Sequence, residues 1–180
     1  NRILSGLRSF FDYCLLEGIV AQSPMELIEA PKIRRKIPTI LSVEEMFTLI
    51  DAVDVSARHG YRNRAILEVL YGCGLRVSEL ITLKQSQIFE QAGFLRVHGK
   101  NNKERLVPIG DPALEAIRGY ERHERARINV QREGEDILFL SARGKGLSRQ
   151  MIFLMIRKLT QQLGWKKKVS PHTFRHSFAS

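Results

Sequence analysis

A chain of 180 residues can hold one packed domain and part of a second. Hydrophobic residues make up 43% and charged residues 27%, which excludes a low-complexity disordered tract and fits an ordinary globular protein. With 29 Lys and Arg against 19 Asp and Glu, the net charge is +10, which favours nucleic acid or an acidic membrane surface as partner.

No apolar run approaches the ~20 residues that a membrane span requires. The start, Asn1-Arg2-Ile3-Leu4, has no signal-peptide pattern. Cys14 and Cys73 lack any motif spacing and lie in apolar helical stretches, as buried thiols of a reducing compartment do. A cytoplasmic protein without a membrane partner is expected.

In chain order, Ile3, Leu4, Leu7, Phe10, Phe11, Cys14 and Leu15 keep a 3.6-residue period and predict a helix over residues 3–17. Ser23-Pro24 opens a shorter helix. The stretch Ala30 to Pro38 has prolines near both ends and carries Lys32, Arg34, Arg35 and Lys36, so it reads as an extended basic linker. A domain boundary is expected there, with residues 1–30 as the tail of a larger helical domain, residues 31–40 as linker and residues 41–180 as a second domain. Ser42-Val43-Glu44-Glu45 is a capping box, with Ser42 as N-cap and Glu45 at N3, and it starts a helix to about Val53. Further helices are predicted over 62–71 and from Arg76.

The period then changes. Residues 87–89, 94–98 and 104–109 read as three short strands, with Gly93 and the Gly99–Lys103 turn between them. Asp111-Pro112 opens a charged helix reaching about Val130. Residues 137–140 form a short strand or a buried extended piece. Ser148 caps a helix through Leu163, and Ser170-Pro171 opens a final one. The fold class is therefore α+β, mainly helical, with a small three-stranded antiparallel sheet.

Three places concentrate cations for which a solvated surface has no need. Arg76 follows the Gly72-Cys73-Gly74 turn at a helix start, a setting suited to phosphate, and Glu79 can pair with it at i+3. Lys100 sits on a hairpin turn with Lys103 and Arg105 close behind. A lysine there can reach into a groove and can give up a proton if burial lowers its pKa. His172 and Arg175, three apart on one helical face, set a titratable imidazole beside a planar cation. His176 follows at i+4, but no third metal ligand is evident, so no metal is expected. Taken singly, each has an ordinary alternative as a surface ion pair or polar turn.

Read together, Tyr71-Gly72-Cys73-Gly74-Leu75-Arg76-Val77-Ser78-Glu79-Leu80, Gly99-Lys100-Asn101-Asn102-Lys103-Glu104-Arg105-Leu106-Val107-Pro108 and Ser170-Pro171-His172-Thr173-Phe174-Arg175-His176 resemble the tyrosine recombinase family. The resemblance is to its bacterial and phage integrase branch, most closely to the Xer site-specific recombinases, and spans nearly the whole chain. It implies a tyrosine-recombinase catalytic domain preceded by the last helices of a helical core-binding (SAM-like) domain. Further implications are a double-stranded DNA partner, a homo-tetramer or hetero-tetramer on DNA, and no cofactor.

On the matching positions, the resemblance implies that Arg76 and Arg175 clamp the scissile phosphate, that Lys100 protonates the departing 5′-oxygen and that His172 assists proton transfer. Glu79 would support the first arginine. The family attacks with a tyrosine that lies downstream of its second arginine. Tyr13, Tyr61, Tyr71 and Tyr120 match none of that motif, so the chain is expected to be a fragment without its nucleophile and inactive alone. Arg34, Arg35, Lys36, Lys103, Arg143, Lys145 and Arg149 are candidate DNA contacts. The alternatives are a non-cleaving DNA-binding module derived from an integrase, or a basic RNA-binding protein, for which no aromatic stacking motif is present.

Overall fold

A computed structural model describes residues 2–28, 40–99 and 103–178. The chain divides into two compact units, residues 1–37 and 38–180. The first holds α1 (Arg2–Leu16), which ends two residues before Gly18 in the left-handed region at φ 67°. Only a few apolar side chains of this unit are covered, Cys14 and Met25 among them, while Ile3, Leu16 and Leu27 are exposed. Ser23 does not start the expected second helix. Its hydroxyl accepts from the Met25 N–H and its carbonyl from the Glu26 N–H, so the segment closes as a turn.

The second unit is built from α2 (Val43–Asp51), α3 (Gly60–Gly72), α4 (Val77–Ile81), β1 (Ile88–Phe89), β2 (Phe94–His98), β3 (Glu104–Pro108), α5 (Asp111–His123), α6 (Arg149–Gln162) and α7 (Pro171–Phe178). The class is the expected one, mainly helical α+β with one small sheet. The capping box at α2 is complete: Glu45 N–H donates to Ser42 Oγ at 3.2 Å, and Ser42 N–H donates to Glu45 at 3.1 Å. Ser148 caps α6 by accepting from the Met151 N–H. The sheet runs β1-β2-β3, antiparallel throughout, with Leu95 opposite Val107 and Val97 opposite Arg105. Leu95, Val97 and Val107 turn inward and join one core with Leu67, Leu70, Leu80, Ile117 and Phe174. Burying each large apolar side chain contributes ~1.5–3 kcal/mol relative to leaving it exposed.

Helix α5 departs from expectation at both ends. Its N-cap is Gly110, with Asp111 and Pro112 already inside the first turn. It stops at His123, and the chain passes through a 3₁₀ turn at Arg125–Arg127. The reason is Arg125, whose guanidinium leaves the helical face to donate to the carbonyls of Glu135 at 2.8 Å and Ile137 at 3.0 Å. Residues 137–140 are a buried extended piece. Leu138, Phe139 and Leu140 are covered, and the segment makes isolated bridges from Ile137 to Lys84 and from Leu140 to Gly146. Among the described residues no helix is long and apolar enough to cross a membrane.

Candidate active site

The first motif lies on the tight turn that joins α3 to α4. Gly74 takes φ 54°, and a Cβ there would stand 2.5 Å from the Phe178 ring, so both its conformation and its surroundings call for glycine. Arg76 follows as the N-cap of α4 in extended conformation. Its backbone N–H donates to Glu79 Oε2 at 2.8 Å and its Nη1 to Glu79 Oε1 at 3.0 Å. The pairing expected from the i,i+3 spacing is therefore present. The backbone N–H of Arg76 is already used, however, so the guanidinium, with its side chain half exposed, is the group that can meet a phosphate.

Glu79 has a second arginine. Arg105, on β3, donates from Nη1 to Oε1 at 2.7 Å and from Nη2 to Oε2 at 2.9 Å, a bidentate fork. The Glu79 side chain is only 4% exposed. Burial by itself would raise its carboxyl. The hydrogen bonds from Arg105 and from the Arg76 backbone and side chain outweigh burial and hold it down at about 2. The Arg105 guanidinium is raised in turn, first by its hydrogen bonds to Glu79.

Arg105 was not among the residues expected at the site, although the sequence carries a signal for it. Along β3, Arg105 and Val107 share the inward face, whereas Leu106 is 64% exposed. A strand that sends arginine in and leucine out inverts the usual alternation, which requires a buried acid to receive the arginine.

The third motif is α7. Phe174 is fully buried and fixes the helix in the core, beside α3 and α6. Thr173 Oγ1 accepts from the Ser170 N–H at 3.1 Å at the helix start. Ser177 Oγ accepts from the Leu41 N–H at 2.9 Å. Arg175 Nη1 donates to the Gly74 carbonyl at 2.6 Å, two residues before Arg76, so both motif arginines meet the same turn. His172 is exposed, one turn before Arg175 and His176. A cavity of about 350 Å³ is lined by Gly74, Arg105, Arg175, His176 and Phe178 among others. Larger clefts near His59, about 460 Å³, and near Trp165, about 520 Å³, are lined by none of Arg76, Glu79, Arg105, His172 or Arg175. The site is therefore assigned to the convergence of charged groups and not to cleft volume.

Lys100, Arg34, Arg35 and Lys36 lie outside the described residues. Lys103 is exposed at the foot of the hairpin turn, where its carbonyl accepts from the Gly99 N–H at 2.8 Å. Arg143 and Lys145 are exposed on a tight turn. Ser141 N–H donates to the Lys145 carbonyl at 2.7 Å, and Gly144, at φ 74°, passes the Asn129 carbonyl too closely for any Cβ. Arg149 is exposed in the first turn of α6. Lys167 is held in an ion pair with Glu45 and over the Trp165 ring.

The tyrosines have other work. Tyr120 is fully buried with its hydroxyl accepting from the Leu140 N–H, Tyr61 stacks on His123, and Tyr71 meets Phe47 edge-on. Cys73 is buried, and burial pushes its thiol up to about 12, so it is not a ready nucleophile. Among the described residues no cluster of three or more His, Cys, Asp or Glu is placed to hold a metal ion.

The phage integrase family model matches residues 39–180. The chain is 39% identical over 179 residues to tyrosine recombinase XerD of Staphylococcus haemolyticus (strain JCSC1435), covering 99% of this chain and 60% of that protein. Among solved structures, XerA recombinase superposes with a TM-score of 0.68 at 34% identity, over 80% of this chain and 50% of that one. XerH site-specific recombinase, in a post-cleavage complex with palindromic difH substrate, gives 0.69 at 25% identity over 81% and 42%. The chain thus spans between 42% and 60% of the length of these three relatives. With a sheet and helices that bring Arg76 and Arg175 to one turn, and a family match over residues 39–180, the chain belongs to the phage integrase family.

Proposed function

We propose that this chain carries the phosphate-gripping part of a site-specific recombinase that cuts and rejoins double-stranded DNA through a 3′-phosphotyrosyl intermediate. The observation that supports this best is the convergence of Arg175 and Arg76 on the 74–76 turn, with Arg76 braced by the buried carboxylate of Glu79. Two guanidiniums fixed before the reaction supply donors to the non-bridging oxygens where charge grows in a pentavalent transition state. A tyrosine oxygen attacks phosphorus, the P–O5′ bond breaks, and the departing 5′-oxygen takes a proton from Lys100. His172 removes the tyrosine proton and hydrogen-bonds the phosphate. The reverse attack by a 5′-hydroxyl restores the diester and frees the tyrosine, so no metal or nucleotide is consumed.

None of the four tyrosines of this chain suits the nucleophile. Tyr120 is enclosed, Tyr61 and Tyr71 are packed on aromatic rings, and Tyr13 belongs to the other unit. The nucleophile is assigned to sequence outside these 180 residues, which leaves the chain alone unable to cleave. Residues 1–30 are read as the end of a core-binding domain and residues 31–40 as the basic linker along the duplex. Arg34, Arg35, Lys36, Lys103, Arg143, Lys145 and Arg149 are assigned to DNA phosphates, and a tetramer on two duplexes in the cytoplasm is the working assembly.

Incubation with a nicked suicide duplex, followed by a denaturing gel, tests the reading. The protein with its full natural sequence is expected to give a covalent adduct, and the 180-residue chain none. If the full protein binds its cognate duplex and never forms the adduct, the second reading, a non-cleaving DNA-binding module, replaces this one. The packed tyrosines are the observation that favours that second reading.

A further inference from the structure

The proposed reaction needs Arg76 aimed before DNA arrives, and Glu79 can aim it only if its own carboxylate is fixed. We infer that Arg105 is a positioning residue for cleavage: its fork on Glu79 locks the carboxylate that orients Arg76 and ties the hairpin stem to the α3–α4 turn. This rests on the recombinase reading above.

The geometry carries it in three ways. Arg105 reaches both Glu79 oxygens, at 2.7 and 2.9 Å, and Arg76 donates to the same two oxygens from its Nη1 and backbone N–H. One buried carboxylate therefore serves two arginines that lie on different elements, 26 positions apart from Glu79 in one case and three in the other. Second, Arg105 stands opposite Val97 in the β2–β3 ladder, and its Nη1 would lie 3.5 Å from a Cβ placed on Gly99. The stem of the hairpin thus closes directly over the ion pair. Third, lysine could not replace this arginine, because a single ammonium cannot make two parallel bonds in a fixed plane.

The experiment uses the protein with its full natural sequence and compares the parent, Arg76→Ala, Arg105→Met, Arg105→Lys and the Arg76→Ala/Arg105→Met double variant. Each is read for duplex affinity, for the single-turnover cleavage rate on a nicked suicide duplex, and for a thermal melt. Because Arg105 acts through Arg76, Arg105→Met is expected to lower the cleavage rate about ten-fold with affinity within about two-fold, and the double variant to be no slower than Arg76→Ala. Arg105→Lys is expected to recover little of the rate.

Full cleavage by Arg105→Met, full recovery by Arg105→Lys, or losses that multiply in the double variant would each overturn the inference. If Arg105→Met fails to fold, the lysine variant decides alone, since it keeps the charge and loses only the fork. Should Arg76→Ala itself cleave like the parent, Arg76 has no part in cleavage and the inference falls; should the parent bind its duplex and form no adduct, the recombinase reading is what fails.

Discussion

The two ends of α3 both attract arginines, and they use them in opposite ways. At its start, Arg62 is 7% exposed and donates Nη1 to the Leu140 carbonyl at 3.0 Å, while Arg125 nearby donates to the carbonyls of 135 and 137. Those guanidiniums are staples: each bonds a backbone carbonyl of the 134–140 stretch, and Arg62 also donates Nη2 to the Asn63 side chain and keeps its Nε buried and unpaired among the described residues. At the other end, ~20 Å away along the 13-residue helix, Arg76 and Arg175 each commit one Nη to protein among the described residues, and Arg76 keeps half its side chain in solvent. A tally of cations treats the four alike. Donors that stay free and also reach solvent separate an arginine that can hold a ligand from one that holds the fold, since the unpaired Nε of Arg62 is buried.

The contrast can be broken by substitution. Removing the Arg62 staple should have the largest effect on folding. Arg62→Met leaves the Leu140 carbonyl and the Asn63 side-chain oxygen without the donors they have now, and a loss of ~3 kcal/mol in a urea titration is expected. A loss under ~1 kcal/mol would remove Arg62 from the structural class. Arg76→Ala should show the reverse pattern: cleavage by the full protein falls ~10²–10³-fold, while the melting point of this chain hardly moves, since Glu79 retains Arg105. A large drop in stability would make Arg76 a staple too.

Glu79 sharpens the comparison through pH. Its folded-state pKa, about 2, lies below the ordinary 4.5, so its contribution is complete above about 4.5 and disappears as pH falls through about 2. The contribution at neutral pH is ~3 kcal/mol, and Glu79→Gln should flatten the fall in stability across that acid window. An unchanged slope would mean that the carboxylate gains nothing from its two arginines. The smallest effect is expected at Gly74. Gly74→Ala forces a Cβ toward Phe178 at positive φ, with a cost of ~1–3 kcal/mol, and displaces the carbonyl that receives Arg175. Melting combined with cleavage assays would separate the two consequences.

What could be read from sequence follows the distance over which each contact acts. The Ser42–Glu45 box and the Arg76–Glu79 pair span three residues, and local spacing was enough to anticipate both. The family resemblance of the three motifs leads to the expectation of a site made of Arg76, Lys100, His172 and Arg175; of these, the fold brings Arg76 and Arg175 to one turn, and Lys100 lies outside the described residues. Contacts that cross the fold were not legible. The alternation along β3 can mark Arg105 as inward, but its partner Glu79, like the Arg175–Gly74 bond, depends on how a strand and a helix pack, which no periodicity encodes. The same limit explains α5: residues 121–127 continue a charged helical pattern, and only the carbonyls of 135 and 137, presented from elsewhere, divert Arg125 and end the helix at His123. The Ser23 turn went unread for the opposite reason, because a side chain captured the backbone within two residues.

The bond from Arg175 to Gly74 closes a loop of 101 positions. During synthesis at roughly 5–20 residues per second, Arg76 leaves the ribosome several seconds before Arg175 does. Through that interval the nascent chain carries one arginine of the pair without the other. The pocket is then among the last features to form, after the helices and sheet it depends on. A partly made chain therefore carries positive charge before it has the paired arginines that the proposed reaction needs.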